Sequence, residues 1–273
     1  VKKKLLLLIF GIAALLIILG VFFRLARHKA PVEVGGSKLC ADAGTLLNQA
    51  RDLEGKADLL AAKAIYEKLV SEFFSSKDVM SWQRKVEELN IRLLFSPTLT
   101  AESKLYEIKQ GDTLNGIAKE FHTTTDLIKK SNNLSGDTIV PGRKLKVWIA
   151  PFSILVDKSQ NTLTLKAGEE IIKTYTVSTG KDNSTPTGTF KITDRLVNPT
   201  WFKEGKVVPA GDPENILGTR WLGFNLAGYG IHGTTEPQSL GTQVTQGCVR
   251  MSNSDVEELY TIIPTGTEVT IVD

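Results

Sequence analysis

Two side chains in the last third of the chain can do covalent chemistry together. His232 lies in Tyr229-Gly230-Ile231-His232-Gly233-Thr234, and Cys248 lies further on in Thr245-Gln246-Gly247-Cys248-Val249-Arg250-Met251. A free thiol ionises only near pH 8.5 (about), so a thiol nucleophile at neutral pH needs a base or a cation beside it. His232 is the candidate base, and Arg250 brings a fixed positive charge two residues past the thiol. Attack on an acyl carbon also needs donors waiting for the oxyanion. Gly247 lets backbone come close to a substrate, and the amides around Cys248 are the nearest donors. No Asp or Glu obviously completes a triad, which leaves a backbone carbonyl such as that of Gly233 to hold the ring. The other histidines, His28 and His122, fall beside an apolar run and in a turn, and no chemistry is expected of them. The 2 cysteines, Cys40 and Cys248, are separated by most of the chain and make neither a disulfide framework nor a zinc spacing; no metal and no cofactor is expected.

The elements that must carry these residues read as a β-rich domain over 150–273. Ile154 and Val156, Leu163 and Leu165, and Tyr175 and Val177 alternate with polar neighbours as strands do, with Gly168 in a connection between them. Thr189 to Thr193 and Glu268 to Val272 continue the pattern. One helix is expected over Asp255 to Ile262, capped by Ser254 or Asp255. Ahead of this domain, 104–149 reads as strand, helix, helix, strand. Leu105 to Lys109 alternates and Lys144 to Trp148 closes the unit. Between them Asp112 or Thr113 caps one helix, and Thr124 or Thr125 caps the next.

Further back, 30–103 is a linker followed by a helical segment, with Ala62, Ile65, Leu69 and Phe73 on one stripe and Trp82, Val86, Leu89 and Leu93 on another. Ala50, Gly55, Ala64 and Tyr66 look like a degenerate tetratricopeptide unit, but one repeat cannot bury its own face. A plain helical spacer, or a surface for a protein partner within 40–95, is the expectation. The first 29 residues read as an anchor. Leu5 to Phe23 is uninterruptedly apolar or glycine, with Lys2 to Lys4 before it and Arg24, Arg27 and Lys29 after it. The flanking charges nearly cancel as a guide to orientation.

The set TPTGTFKI, LGTRWLGF, YGIHGTTEP and TQGCVRM resembles the L,D-transpeptidase (YkuD-like) catalytic domain across Pro151 to Asp273. That resemblance implies a mostly-β fold in which Cys248 is the acylated nucleophile and His232 the general base and acid. Arg250 then binds substrate or steadies the loop, while Gly247 and neighbouring amides, with Gly233, Thr245 and Gln246 near them, form the oxyanion and substrate site. Gln246 stands where many members carry a second histidine. The run YEIKQGDTLNGIAKEF with PGRKLKVW resembles the LysM module, a small α/β unit that binds the N-acetylglucosamine backbone of peptidoglycan or chitin. Gly111, Asp112, Thr113 and Ile139 are then its candidate glycan contacts.

The expected whole is multidomain: a transmembrane helix, a short TPR-like segment, a LysM module and a catalytic domain. Its expected function is a membrane-anchored peptidoglycan L,D-transpeptidase of cell-wall biogenesis, single-pass, facing the periplasm or cell wall. It would form 3-3 crosslinks and so serve cell shape. An L,D-carboxypeptidase on the same machinery and an idle wall-binding scaffold are the alternatives. Composition is that of a globular protein, with 41% hydrophobic and 23% charged residues, and a net charge of +3 gives no case for nucleic acid.

Overall fold

Residues 36–203 and 205–273 are described by the computed structural model. The apolar run Leu5 to Phe23 lies outside them, so the membrane helix expected there is not part of the description. Among the described residues no helix is long and apolar enough to cross a membrane.

Three helices come first: α1 (Gly36–Gly55), α2 (Leu59–Glu72) and α3 (Val79–Leu94). Asp58 starts α2 by accepting the Ala61 N–H at 3.2 Å, removing one of the unsatisfied donors of the first turn. Of the stripes seen in the sequence, Ala62 and Leu69 of α2 and Trp82, Val86, Leu89 and Leu93 of α3 are buried, while Ile65 and Phe73 are half-buried and Tyr66, outside the expected stripe, is covered instead. Tyr66 donates to Glu54 at 2.7 Å, and burial with that carboxylate pushes its phenol up to about 12.

The second face of α3 corrects the expectation of a spacer. Ile91 and Leu94 belong to the same apolar core as the strands of the catalytic domain. Asn90 donates its amide to the carbonyls of Ile171 and Ile172 at 3.2 and 3.1 Å. Lys63 of α2 pairs with Glu170 at 2.5 Å. A lone helical repeat cannot cover its own apolar face; here the sheet covers it.

The LysM unit consists of β1 (Ser103–Glu107), α4 (Leu114–Glu120), α5 (Thr125–Ser131) and β2 (Lys144–Trp148). The strands pair antiparallel from Ser103 opposite Trp148 to Glu107 opposite Lys144. Thr113 caps α4 and Thr124 caps α5 through their hydroxyls. The unit has a core of its own around Ile108, Ile117, Ile128 and Val147, but Leu127 and Trp148 face the other way, into the catalytic core. Lys146 of β2 is buried and donates to Leu93 O at 2.7 Å and Ser96 O at 2.9 Å, and desolvation lowers its pKa to about 8.

The β-rich domain begins with the meander β3 (Phe152–Asp157), β4 (Thr162–Ala167) and β5 (Glu170–Thr176), then short β6 (Thr179–Gly180) and long β7 (Gly188–Val197). A hairpin, β8 (Trp201–Lys203) and β9 (Lys206–Val208), precedes β10 (Arg220–Phe224) and β11 (Gly230–His232). There follow β12 (Gln243–Thr245), β13 (Val249–Arg250), the helix α6 (Asn253–Ile262) and β14 (Glu268–Val272). Eight strands form one sheet in the order β13-β11-β10-β7-β14-β3-β4-β5. The last strand, β14, fills the middle, parallel to β3 and antiparallel to β7. Val256, Leu259 and Ile262 bring α6 into the sheet's apolar core. Its cap is Ser252, accepting from Asp255 N at 3.1 Å, rather than Ser254 or Asp255 as expected, so the helix starts earlier and takes in Asn253.

Candidate active site

Sheet pairing brings His232 and Cys248 together. β11 and β13 run parallel, with Ile231 opposite Val249 and His232 opposite Arg250. His232 therefore ends one strand while Cys248 immediately precedes its neighbour, and both line one cleft of about 560 Å³ with Tyr229, Glu236, Gln246 and Arg250. A second, more apolar cavity of about 290 Å³, with Leu196, Pro199 and Trp221 in its walls, also reaches Cys248. Trp201 and Phe202 of the β8–β9 hairpin line both.

His232 is buried, and its Nδ1 lies 2.6 Å from the carbonyl oxygen of Gly233. A carbonyl can only accept, so Nδ1 carries the proton and Nε2 keeps its lone pair. Burial, with some help from the positive charge of Arg250, lowers the ring's pKa to about 4, against the pull of the Gly233 bond. The imidazole is neutral at neutral pH and in the tautomer that can accept a proton. The Trp221 ring stacks beside it, with centroids 6.0 Å apart.

Burial pushes the Cys248 thiol up, while a Gly230 backbone hydrogen bond and the charge of Arg250 pull it part of the way back. The thiol donates to Gly228 O at 3.4 Å. The resting pair is therefore thiol and neutral imidazole, and the proton has to move as the sulfur attacks.

The loop before Cys248 is built around Thr245. Its hydroxyl donates to Cys248 O at 2.6 Å and accepts from Gly247 N at 3.2 Å. The Gly247 amide is thus engaged, and an oxyanion role for it, which the resemblance implied, requires that bond to be given up. Gly247 has φ +130°, and a Cβ there would sit 2.7 Å from the Tyr229 ring, so glycine alone fits. Gln246 is exposed and lines the cleft.

Arg250 steadies the loop. It is buried, and Nη1 donates to Glu236 Oε2 and to Ser239 Oγ, each at 2.9 Å. Glu236 was missed in the sequence because only the loop's return over β13 brings it to the arginine. Asn253 was missed too. Its Oδ1 accepts from Thr219 N at 3.2 Å and Thr234 N at 3.1 Å, and its Nδ2 donates to Thr234 O at 2.9 Å. Its only sequence signal was a position beside Ser252 at a helix start.

Of the candidate glycan contacts, Asp112 accepts from Tyr106 and from Lys109 N, which closes the turn, and Thr113 caps α4. Gly111 takes φ +89° with open space around it. Ile139 lines a recess of about 60 Å³ with Ile108, Asn132 and Leu134, and Gly111, Asp112 and Thr113 are not in its wall. Among the described residues no group of His, Cys, Asp and Glu could hold a metal ion.

A thiol and a proton-accepting imidazole lining one cleft suit an enzyme of the thiol acyl-transfer class. Residues 151–271 match the family model for the L,D-transpeptidase catalytic domain, and residues 106–148 match that of the LysM domain. YkuD of Bacillus subtilis strain 168, which carries the name L,D-transpeptidase, is 38% identical over 173 residues, or 61% of this chain and 97% of its own. YqjB of the same organism, with the same name, is 41% identical over 126 residues, 44% of this chain and 70% of its own. A solved L,D-transpeptidase from Mycobacterium smegmatis aligns over 50% of this chain and 65% of its own, at 21% identity and a TM-score of 0.40. The chain belongs to the L,D-transpeptidase family, with a LysM domain ahead of the catalytic domain.

Proposed function

We propose that the protein forms 3-3 crosslinks in peptidoglycan, with Cys248 attacking the third-residue carbonyl of a stem tetrapeptide. His232 Nε2 takes the thiol proton as the C–S bond forms and gives it to the departing amine, so that D-alanine leaves neutral and a thioester remains. An amine of a neighbouring stem attacks that thioester, His232 takes its proton, and the thiol is restored. Amides near Cys248 receive the developing oxyanion. Arg250 steadies the cleft wall through Glu236 and Ser239.

One observation carries this reading: two cavities reach the same thiol beside a neutral imidazole fixed in its proton-accepting tautomer. The cleft and its more apolar extension, which share Trp201, Phe202, Leu217 and Gly228 as walls, leave room at the sulfur for an acyl donor and an amine acceptor. The reading also places the chain at a membrane, anchored by Leu5 to Phe23 with the catalytic domain outside the cytoplasm, and gives the LysM unit the glycan strand to hold. The full-length chain incubated with disaccharide-tetrapeptide, beside its Cys248→Ala variant, tests the function by mass spectrometry. A cysteine-dependent dimer lacking one D-alanine is the expected product. Tripeptide without dimer would overturn the reading in favour of a carboxypeptidase.

A further inference from the structure

The base in this site is held by a backbone carbonyl and not by a carboxylate. A peptide unit is a weak support unless something stops it rotating, and Gly233, with no side chain, leaves its own unit the freest. We propose that Asn253 is the positioning residue that sets the tautomer and aim of His232, acting through the peptide unit between Gly233 and Thr234.

That unit has two ends. Its carbonyl, Gly233 O, takes the Nδ1 proton of His232 at 2.6 Å. Its N–H, on Thr234, donates to Asn253 Oδ1 at 3.1 Å. Because a trans peptide is planar with its N–H and C=O opposed, fixing the N–H fixes where the carbonyl points. Asn253 Nδ2 holds the next carbonyl, Thr234 O, at 2.9 Å, so the peptide on either side of Thr234 is held by one side-chain amide. A third bond, from Thr219 N to Asn253 Oδ1 at 3.2 Å, ties the amide to the start of β10.

The packing leaves room for this side chain. A Cβ on either Gly218 or Gly233 would lie 2.2 Å from Asn253 Oδ1. The residue type matters as well. An amide accepts from two N–H groups and donates to a carbonyl, whereas a carboxylate would set a charged oxygen against Thr234 O. A neutral group at this position also leaves the imidazole uncharged. The backbone of His232 is held by different partners, its carbonyl accepting from Met251 N at 2.8 Å, so loss of Asn253 need not displace the strand.

The proposal rests on His232 as the base, but its test reads the ring directly. The full-length chain is labelled with ¹⁵N-histidine, its ring shifts are assigned against a His232→Gln variant, and Asn253→Ala, Asn253→Asp and Ser252→Ala are compared with it. The parent should show His232 protonated on Nδ1. Asn253→Ala should shift the ring to a mixture of tautomers and lower kcat on the order of 10- to 100-fold with little change in KM. Should that variant fail to fold, Asn253→Asp still decides: it keeps the acceptor for Thr234 N–H, so the Nδ1–H tautomer should persist while the new charge raises the ring's pKa. Ser252→Ala removes the neighbouring helix cap and should lower stability without moving the ring shifts. An unchanged tautomer in Asn253→Ala, an unmoved ring pKa in Asn253→Asp, or a changed tautomer in Ser252→Ala would each overturn the proposal. If the enzyme made no cysteine-dependent product, the functional reading would fail while these ring measurements kept their meaning.

Discussion

At the scale of the residue, the site separates proton affinity from nucleophilicity. Burial lowers the His232 ring to about 4 and raises the thiol of Cys248, so neither group is charged at rest. Alkylation of Cys248 by iodoacetamide should therefore accelerate steadily with pH into the alkaline range; a plateau already reached near pH 6 would reveal an ion pair instead. The same shift has a thermodynamic consequence. The ring's folded pKa of about 4 lies below its ordinary 6.5, so between these values the unfolded chain binds more protons than the folded one. This contribution to stability is complete above pH 6.5 and falls by about 3 kcal/mol as pH drops through 4. Urea titrations should show this slope in the parent and a shallower one in His232→Gln; equal slopes would mean the ring is not the titrating group. Cys248, His232 and Gly247 stood out in the sequence because they sit in short motifs with direct chemical meaning, and the structure sets the first two in one cleft. Glu236 and Asn253 did not stand out, since each matters through a partner that only the chain's return brings near.

At the scale of the element, the helical segment closes an exposed edge. β5 is the last strand of the eight-stranded sheet, and α3 lies along it with Asn90 covering two of its carbonyls. Unpaired edges invite association, and a helix laid over one removes that risk. Asn90→Ala takes this donor from the buried Ile172 carbonyl and the part-buried Ile171 one, and should cost about 1–3 kcal/mol in unfolding free energy. A cost near zero in chemical denaturation would mean that water replaces the amide freely. Much of the apolar spacing on α2 and α3 was readable, and so were some strands, with β2 and β14 falling on Lys144–Trp148 and Glu268–Val272 as expected, whereas the short strands β8, β9 and β11 to β13 around the cleft carry too few residues to show alternation. The partner of α3's second face was not readable. Helical periodicity tells which face is apolar and is silent about what covers it.

At the scale of the whole molecule, residues 47–273 form one compact unit, in which the LysM fold is fastened to the catalytic domain. Leu127 lies in the catalytic core, Thr124 donates to Thr261 O, and Arg195 lies 3.7 Å from Asp126 while donating to Tyr260 O at 2.6 Å. Lys146 adds its bonds to the end of α3. Leu127→Ala should remove about 2–5 kcal/mol and lower one shared melting transition. Two transitions in calorimetry, only one of them moved, would show the units to be independent. Deleting the LysM segment is consequently a poor probe of glycan binding, because it also strips the catalytic core; substitution at Ile139, in its small recess, is the cleaner probe. The sequence made the order of domains plain but suggested beads on a string. Their shared core comes from residues such as Leu127 and Trp148, whose apolar character looks the same whichever neighbour they face.

The central claim is that Cys248 carries the acyl group. Its most direct measurement is the intact mass of the full-length chain, acid-quenched soon after mixing with disaccharide-tetrapeptide and then digested to locate the adduct. The expected adduct equals the substrate less D-alanine, on the peptide containing Cys248 and absent from Cys248→Ala. Turnover without any such adduct, or the same adduct surviving in Cys248→Ala, would contradict that claim.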